Sequence, residues 1–125
     1  MDNLKKLAKS FRCAFRGLKY MLKNEQNFQV EILIALFVVF LMFFFPTRTL
    51  ERIALFLVIF AVLVVELVNS MFERVVDILK PRIHPYAQLI KDITAAAVLL
   101  ASVGAVIVGI IIFWPYFRDL FLQRL

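Results

Sequence analysis

The chain has 125 residues, 63% of them hydrophobic, and its mean hydropathy is +0.89, which excludes a water-soluble domain and leaves a membrane protein. Its formal charge is +6, from 15 Lys and Arg against nine acids, so cations must gather at the polar margins of the apolar segments. A single Cys, Cys13, excludes an internal disulfide, and a single His, His84, excludes a His-cluster zinc site, leaving metal chemistry to oxygen ligands that suit Mg²⁺ or Ca²⁺.

Residues 1–24 are the first element. Lys5, Lys6, Lys9, Arg12, Arg16, Lys19 and Lys23 alternate with Leu4, Leu7, Ala8, Phe11, Phe15, Leu18 and Leu22 at steps of three and four, so one side of a helix is apolar and the rest is basic. Such a helix lies flat at a lipid interface with its charges toward anionic headgroups. It lacks the apolar core and small-residue cleavage site of a secretory signal, and a chain this apolar gives no role to a nucleic-acid-binding arm.

NEQNFQVE, residues 24–31, breaks the basic pattern with Glu25 and Glu31. Residues 28–45 then form a first membrane crossing, closed by Pro46, since a span of about 20 apolar residues covers the ~30 Å hydrocarbon layer. The segment PTRTLER leads into a second crossing, 53–78, whose last turns protrude from the membrane. Residues 79–90, with Pro81 and Pro85, are expected to be a loop on the membrane surface. A third crossing, 93–113, is closed by Trp114 and Tyr116 as interfacial anchors. Along it Ala97, Ala101, Ala105 and Gly109 repeat every fourth residue, a shallow seam where another helix can approach closely. The expected fold is thus all-α: a surface helix and three transmembrane helices in one domain, 1–125.

Orientation follows from the cations. With the N-terminus inside, residues 1–24 and 72–92 together hold 11 of the 15 Lys and Arg, so the surface helix and the inner end of the second crossing face the cytoplasm.

That inner end carries the chemistry. In ELVNSMFERVVD, residues 66–77, Glu66, Asn69, Ser70, Glu73 and Asp77 stand at offsets of three, four, seven and eleven from the first, which places them on one helical face. Three carboxylates sharing a face at a membrane boundary repel one another and call for a cation between them. The topology adds Glu25, Lys91 and Asp92 at the same membrane level. Carboxylates with an Asn amide oxygen are hard ligands, and Mg²⁺ takes one or two protein carboxylates with phosphate and water as the rest of its shell. The only glycines are Gly17, Gly104 and Gly109, so no GxxxxGK[ST] loop exists and a nucleotide must be held without one. Arg74 reads as a solvated or headgroup-bound cation. Ser70 reads as a small residue at a helix contact. A non-enzymatic scaffold would account for three crossings but not for the carboxylate stripe, and a transporter lacks a broken mid-membrane helix.

The segment ELVNSMFERVVD resembles the ExxNxxxExxxD signature of the small prokaryotic lipid kinases, the diacylglycerol kinase and undecaprenol kinase family. The likeness continues in NEQNFQVE and in HPYAQLIKDITAAAV, residues 84–98, so it runs in order over almost the whole chain. It implies ATP-dependent phosphorylation of a lipid hydroxyl by homotrimers at the cytoplasmic face of a bacterial inner membrane. By matching position, Glu66 resembles the general base that meets the lipid substrate, and Glu25 and Glu73 resemble the Mg²⁺ ligands. The resemblance implies that Glu25, Asn69, Glu73, Asp77, Arg82, His84, Lys91 and Asp92 bind ATP, with Lys6 contributing from the surface helix. Lys6 stands where the family often has Arg, and Cys13 where an aromatic is usual. EQNFQ, HPYA and VGIIIFWP resemble the undecaprenol branch more than the diacylglycerol branch. Undecaprenol is therefore the expected acceptor and diacylglycerol the alternative.

Overall fold

The computed structural model describes residues 2–124, and every described residue outside two short breaks is helical. Helix α1 is Asp2–Asn24, amphipathic as its spacing requires, with only Met21 buried. Glu25 adopts extended backbone angles, φ −112° and ψ 109°, and α2, Gln26–Phe44, starts directly after it. The loose carbonyls at this corner are taken up locally: Glu25 N donates to Met21 O at 3.0 Å, Asn24 Nδ2 to Tyr20 O at 2.9 Å and Gln29 Nε2 to Leu22 O at 2.7 Å. These bonds tie the corner together although it is bent and α2 has no side-chain cap.

At about 1.5 Å per residue, the 19 residues of α2 span ~28 Å, close to a hydrocarbon core. The helix ends where Phe45 turns extended before Pro46. Thr47 Oγ1 donates to Met42 O at 2.8 Å, and Glu51 Oε1 accepts from Arg48 N at 2.9 Å, the reach-back of a third-position acid that opens the next helix.

Thr49–Arg124 is helical except at Ile83, φ −113° and ψ 20°. We number its limbs α3 (49–82) and α4 (84–124). They fold back on one another: Tyr116 Oη donates to Glu51 Oε1 at 2.5 Å and Lys91 Nζ to Asp77 Oδ1 at 2.7 Å, contacts that a straight rod would hold about 20 to 100 Å apart. The expected surface loop over 79–90 is thus helix on both sides of a one-residue break. Pro81 lacks the N–H that would continue the ladder of α3, whereas Pro85 sits in the first turn of α4, where no partner is needed; the reversal falls between them.

Met42, Phe45, Leu55, Ile112 and Phe113 form a buried cluster at the end of the bundle remote from Ile83. Phe45 packs on Tyr116 and Phe117 at centroid distances of 5.6 and 5.0 Å. Elsewhere most large apolar side chains of α2, α3 and α4 face outward, among them Leu36, Phe40, Phe60 and Ile111. Outward apolar faces of this extent need lipid around them, and the stretches Gln26–Phe44 and Thr49–Arg124 are long and apolar enough to cross a membrane. In the small-residue seam, a Cβ added at Gly109 would meet nothing within 4 Å, and Ala105 and Gly109 border a cleft between α4 and the other two long helices.

Candidate active site

The polar stripe of α3 starts inside the protein and ends in the open. Glu66 is 2% exposed, Ser70 5% and Asn69 8%, whereas Glu73 and Asp77, one and two turns further on, are exposed. The α1–α2 corner packs at this level, burying Met21 and Phe28, and brings Glu25 across to α3. There Arg74 Nη2 donates to Glu25 Oε1 at 2.5 Å, with the Arg74 guanidinium 5.3 Å from the centre of the Tyr20 ring. Arg74, expected as a solvated cation, is half exposed but also ties the corner to the stripe. Its position as the one non-apolar residue among those that separate the five stripe positions is the only sequence signal that set it apart. A hollow of about 510 Å³ separates α1 from α3, with Gly17, Met21, Ser70 and Arg74 on its walls.

Glu66 is near enough to Glu25 and Glu73 for their charges to interact, and Glu31, given no role from the sequence, is near enough to Glu66 for the same. Three carboxylates thus interact with that of Glu66, and among the described residues Arg74, on Glu25, is the one cation bonded to any of the four. Glu66 Oε2, Glu31 Oε2, Asn69 Oδ1 and Ser70 Oγ are buried without a hydrogen-bond partner. Buried acceptors are costly to leave unpaired, so this set is built for a donor or a cation. No three of the described acids and His or Cys residues converge tightly enough to hold a metal on their own.

Across the hairpin, the hydrogen bond from Lys91 holds the Asp77 carboxyl below the usual aspartate range, and Asp77 in turn raises the Lys91 ammonium. Gln88 Nε2 donates to Asp92 Oδ1 at 2.8 Å, which orients that carboxylate beside Lys91. Arg82 and His84 flank Ile83 and are exposed, as is Lys6 on α1. These three make no side-chain hydrogen bond or ion pair to the other site residues among the described residues.

Comparison with known proteins identifies the family. Residues 12–113 match the family described as prokaryotic diacylglycerol kinase. The chain is 33% identical over 114 residues to an undecaprenol kinase of Bacillus subtilis, covering 91% of this chain and 93% of the relative. It is 30% identical over 112 residues to a diacylglycerol kinase of Escherichia coli, covering 90% and 92%. It is 34% identical over 101 residues to a diacylglycerol kinase of Synechocystis, covering 80% of this chain but 58% of that longer protein. The match over residues 12–113, with relatives at least 30% identical aligned over nine-tenths of their length, places the chain in the prokaryotic diacylglycerol kinase family and makes it a lipid kinase.

Proposed function

We propose that the protein transfers the γ-phosphoryl group of ATP to the hydroxyl of undecaprenol, giving undecaprenyl phosphate, at the cytoplasmic face of a bacterial inner membrane. The observation that carries this is Glu66: a carboxylate buried to 2% exposure, with one oxygen unpartnered, at the level where the stripe passes from apolar bundle to open surface. In this reading Glu66 takes the proton of the lipid hydroxyl as its oxygen attacks the γ-phosphorus, and ADP leaves as the old P–O bond breaks. The acceptor never has to leave the bilayer.

The rest of the site follows from charge. Phosphoryl transfer is catalysed mainly by positioning and by neutralising charge on the transferred group. Glu25 and Glu73 would hold Mg²⁺, which when bound supplies that neutralisation; the unpartnered oxygens around Glu66 and the surplus of carboxylates over cations fit a divalent ion. Lys91, oriented by Asp77, would meet the phosphates, and Asn69, Asp77 and Asp92 would order the nucleotide. Arg82, His84 and Lys6, exposed and free of bonds to these groups, would contribute only by closing over bound ATP. We further propose three crossings, by α2, α3 and α4, with α1 on the cytoplasmic surface and three chains per assembly.

Diacylglycerol is the second acceptor to test, because the Escherichia coli and Synechocystis relatives are named for it. Purified protein in mixed micelles with radiolabelled ATP, Mg²⁺ and either lipid decides between them. Transfer of label to polyprenol at the higher kcat/KM supports the proposal; label on diacylglycerol alone moves the assignment to phosphatidate synthesis.

A further inference from the structure

Among the described residues, the one cation bonded to the carboxylates around Glu66 stands on a proposed metal ligand. Arg74 Nη2 donates to Glu25 Oε1 at 2.5 Å, and the centre of the Tyr20 ring lies 5.3 Å from the same guanidinium. The Arg74 side chain is 51% exposed and that of Glu25 20%. An ion pair this open to water favours its own formation by about five-fold or less, so it holds without locking. A divalent ion brings twice the charge and is suited to carboxylate oxygens. The guanidinium and the metal compete for Glu25, and the metal is the stronger competitor.

Elimination then shows where Arg74 goes. It follows Glu73 directly and stands three residues before Asp77, near enough for its charge to act on that carboxylate. Asp77 is already bonded by Lys91 Nζ at 2.7 Å, Glu73 is the other proposed metal ligand, and Glu66 is buried. Once a metal ion holds Glu25 and Glu73, the stripe offers Arg74 no carboxylate at its exposed end, and the metal repels it. The nearest anion is the triphosphate that the metal carries. A guanidinium matches phosphate oxygens with two parallel N–H donors, and the hollow of about 510 Å³ that Arg74 borders with Tyr20 and Ser70 leaves room for it to turn.

We propose that Arg74 is a nucleotide-binding residue held in reserve: it neutralises Glu25 while the site is empty and passes to the phosphates of ATP when a divalent ion takes that carboxylate. This rests on the assignment of Glu25 and Glu73 as the metal ligands. The exchange couples the two ligands. Without metal the guanidinium stays on Glu25, and metal that arrives without phosphate leaves the guanidinium unpaired.

The test measures the Kd of radiolabelled β,γ-methylene ATP in detergent micelles, once with Mg²⁺ and once with EDTA, for the parent, Arg74→Gln, Glu25→Gln and the double variant. With Mg²⁺, Arg74→Gln is expected to bind about ten-fold or more weakly than the parent, the loss of a charged hydrogen bond to phosphate. With EDTA it is expected to match the parent within about two-fold, because the parent's Arg74 is then still bonded to Glu25. Glu25→Gln frees Arg74, so with EDTA it is expected to bind about five-fold or more tightly than the parent, a gain that the double variant loses. A residue that only braces the α1–α2 corner would weaken binding alike in both media. Equal effects of Arg74→Gln with Mg²⁺ and with EDTA, a smaller loss with Mg²⁺, or a gain by Glu25→Gln that survives in the double variant overturns the inference while leaving the metal ligands as assigned. A parent that binds the analogue no better with Mg²⁺ than with EDTA removes the metal assignment and the inference with it, and a parent that binds it in neither medium defeats the kinase reading itself.

Discussion

Glu66→Gln separates the proposed chemistry from the fold. The side chain is 2% exposed, so an isosteric replacement keeps the packing, while its neighbours Glu25, Glu73 and Glu31 make the lost negative charge a relief. The amide N–H₂ would also face acceptors that now lack partners, Asn69 Oδ1 and Glu31 Oε2. Each buried acceptor so satisfied is worth about 1 to 3 kcal/mol, so the variant should unfold in detergent at the same temperature as the parent or higher. Turnover should move the other way. Loss of a positioned general base costs ~10²- to 10⁴-fold in rate, or about 3 to 5 kcal/mol of barrier, with the ATP and Mg²⁺ dependence unchanged. The assay is kcat on the preferred lipid beside thermal unfolding of the same preparations. A variant with kcat within a few-fold of the parent refutes the base assignment. A variant that is inactive but much less stable would show that Glu66 is a structural residue.

Glu73→Gln removes a proposed Mg²⁺ ligand on the exposed part of the stripe, and should raise the Mg²⁺ concentration for half-maximal rate about ten-fold or more; an unchanged Mg²⁺ titration takes Glu73 out of the metal shell. Tyr116→Phe deletes the hydroxyl that bonds Glu51 at 2.5 Å, at the end of the bundle remote from the stripe, so the unfolding temperature should fall while kcat stays that of the parent; a large loss of kcat would refute the separation of the two ends. The same contact predicts a pH dependence. Glu51 is held low, first by the backbone N–H of Arg48 and then by Tyr116, so its stabilising contribution is present above the usual glutamate range and is lost as pH falls through the lowered value. Tyr116 is raised by its bond to Glu51, so its contribution is present below the usual tyrosine range and is lost as pH rises through the raised value. Thermal unfolding against pH should show Tyr116→Phe narrowing its deficit to the parent at both extremes. Asp77→Asn weakens the tie to Lys91 across the hairpin, and amides of 79–90 should exchange faster; identical exchange would mean that the prolines alone hold the turn.

The amphipathic spacing of residues 1–24 and the apolar length of α2 were legible because lipid imposes simple rules of period and length on a helix. The stripe was legible because five polar residues on one face of an apolar helix have no cheap alternative. Two prolines four residues apart were read as a loop, but their cost depends on where each falls relative to a helix end. Pro85 in a first turn costs nothing, and the chain needs only Ile83 out of helix to reverse. Arg74, read as a solvated or headgroup-bound cation, and Glu31, read only as a break in the basic pattern, were given no site role for a different reason. Each has a local explanation at a membrane boundary, and their meaning appears only when the α1–α2 corner carries Glu25 to Arg74 and when α2 and α3 align Glu31 with Glu66. Pairings between helices are set by packing, which no single segment records.

The gradient along α3 unites these pieces. A kinase that joins a water-soluble triphosphate to a lipid alcohol must hold one substrate in water and the other in hydrocarbon, and move a single phosphoryl group between them. Along one face, Asp77 and Glu73 are exposed, Ser70 and Asn69 are buried, and Glu66 is buried deeper still, all within about 17 Å of helix rise. Below Glu66 the apolar cleft begins at Leu63 and Glu31. A helix is well suited to this task because its rigid rise keeps the carboxylates proposed to serve nucleotide and lipid at a fixed separation, and Arg74 bonded to Glu25 ties the corner of α1 and α2 to α3. On this argument Arg74→Gln should leave α3 intact but loosen that corner. The fall in activity should exceed the loss of stability, which a half-exposed ion pair limits to about 1 kcal/mol or less. Proportionate losses of the two would show that the corner serves only the fold.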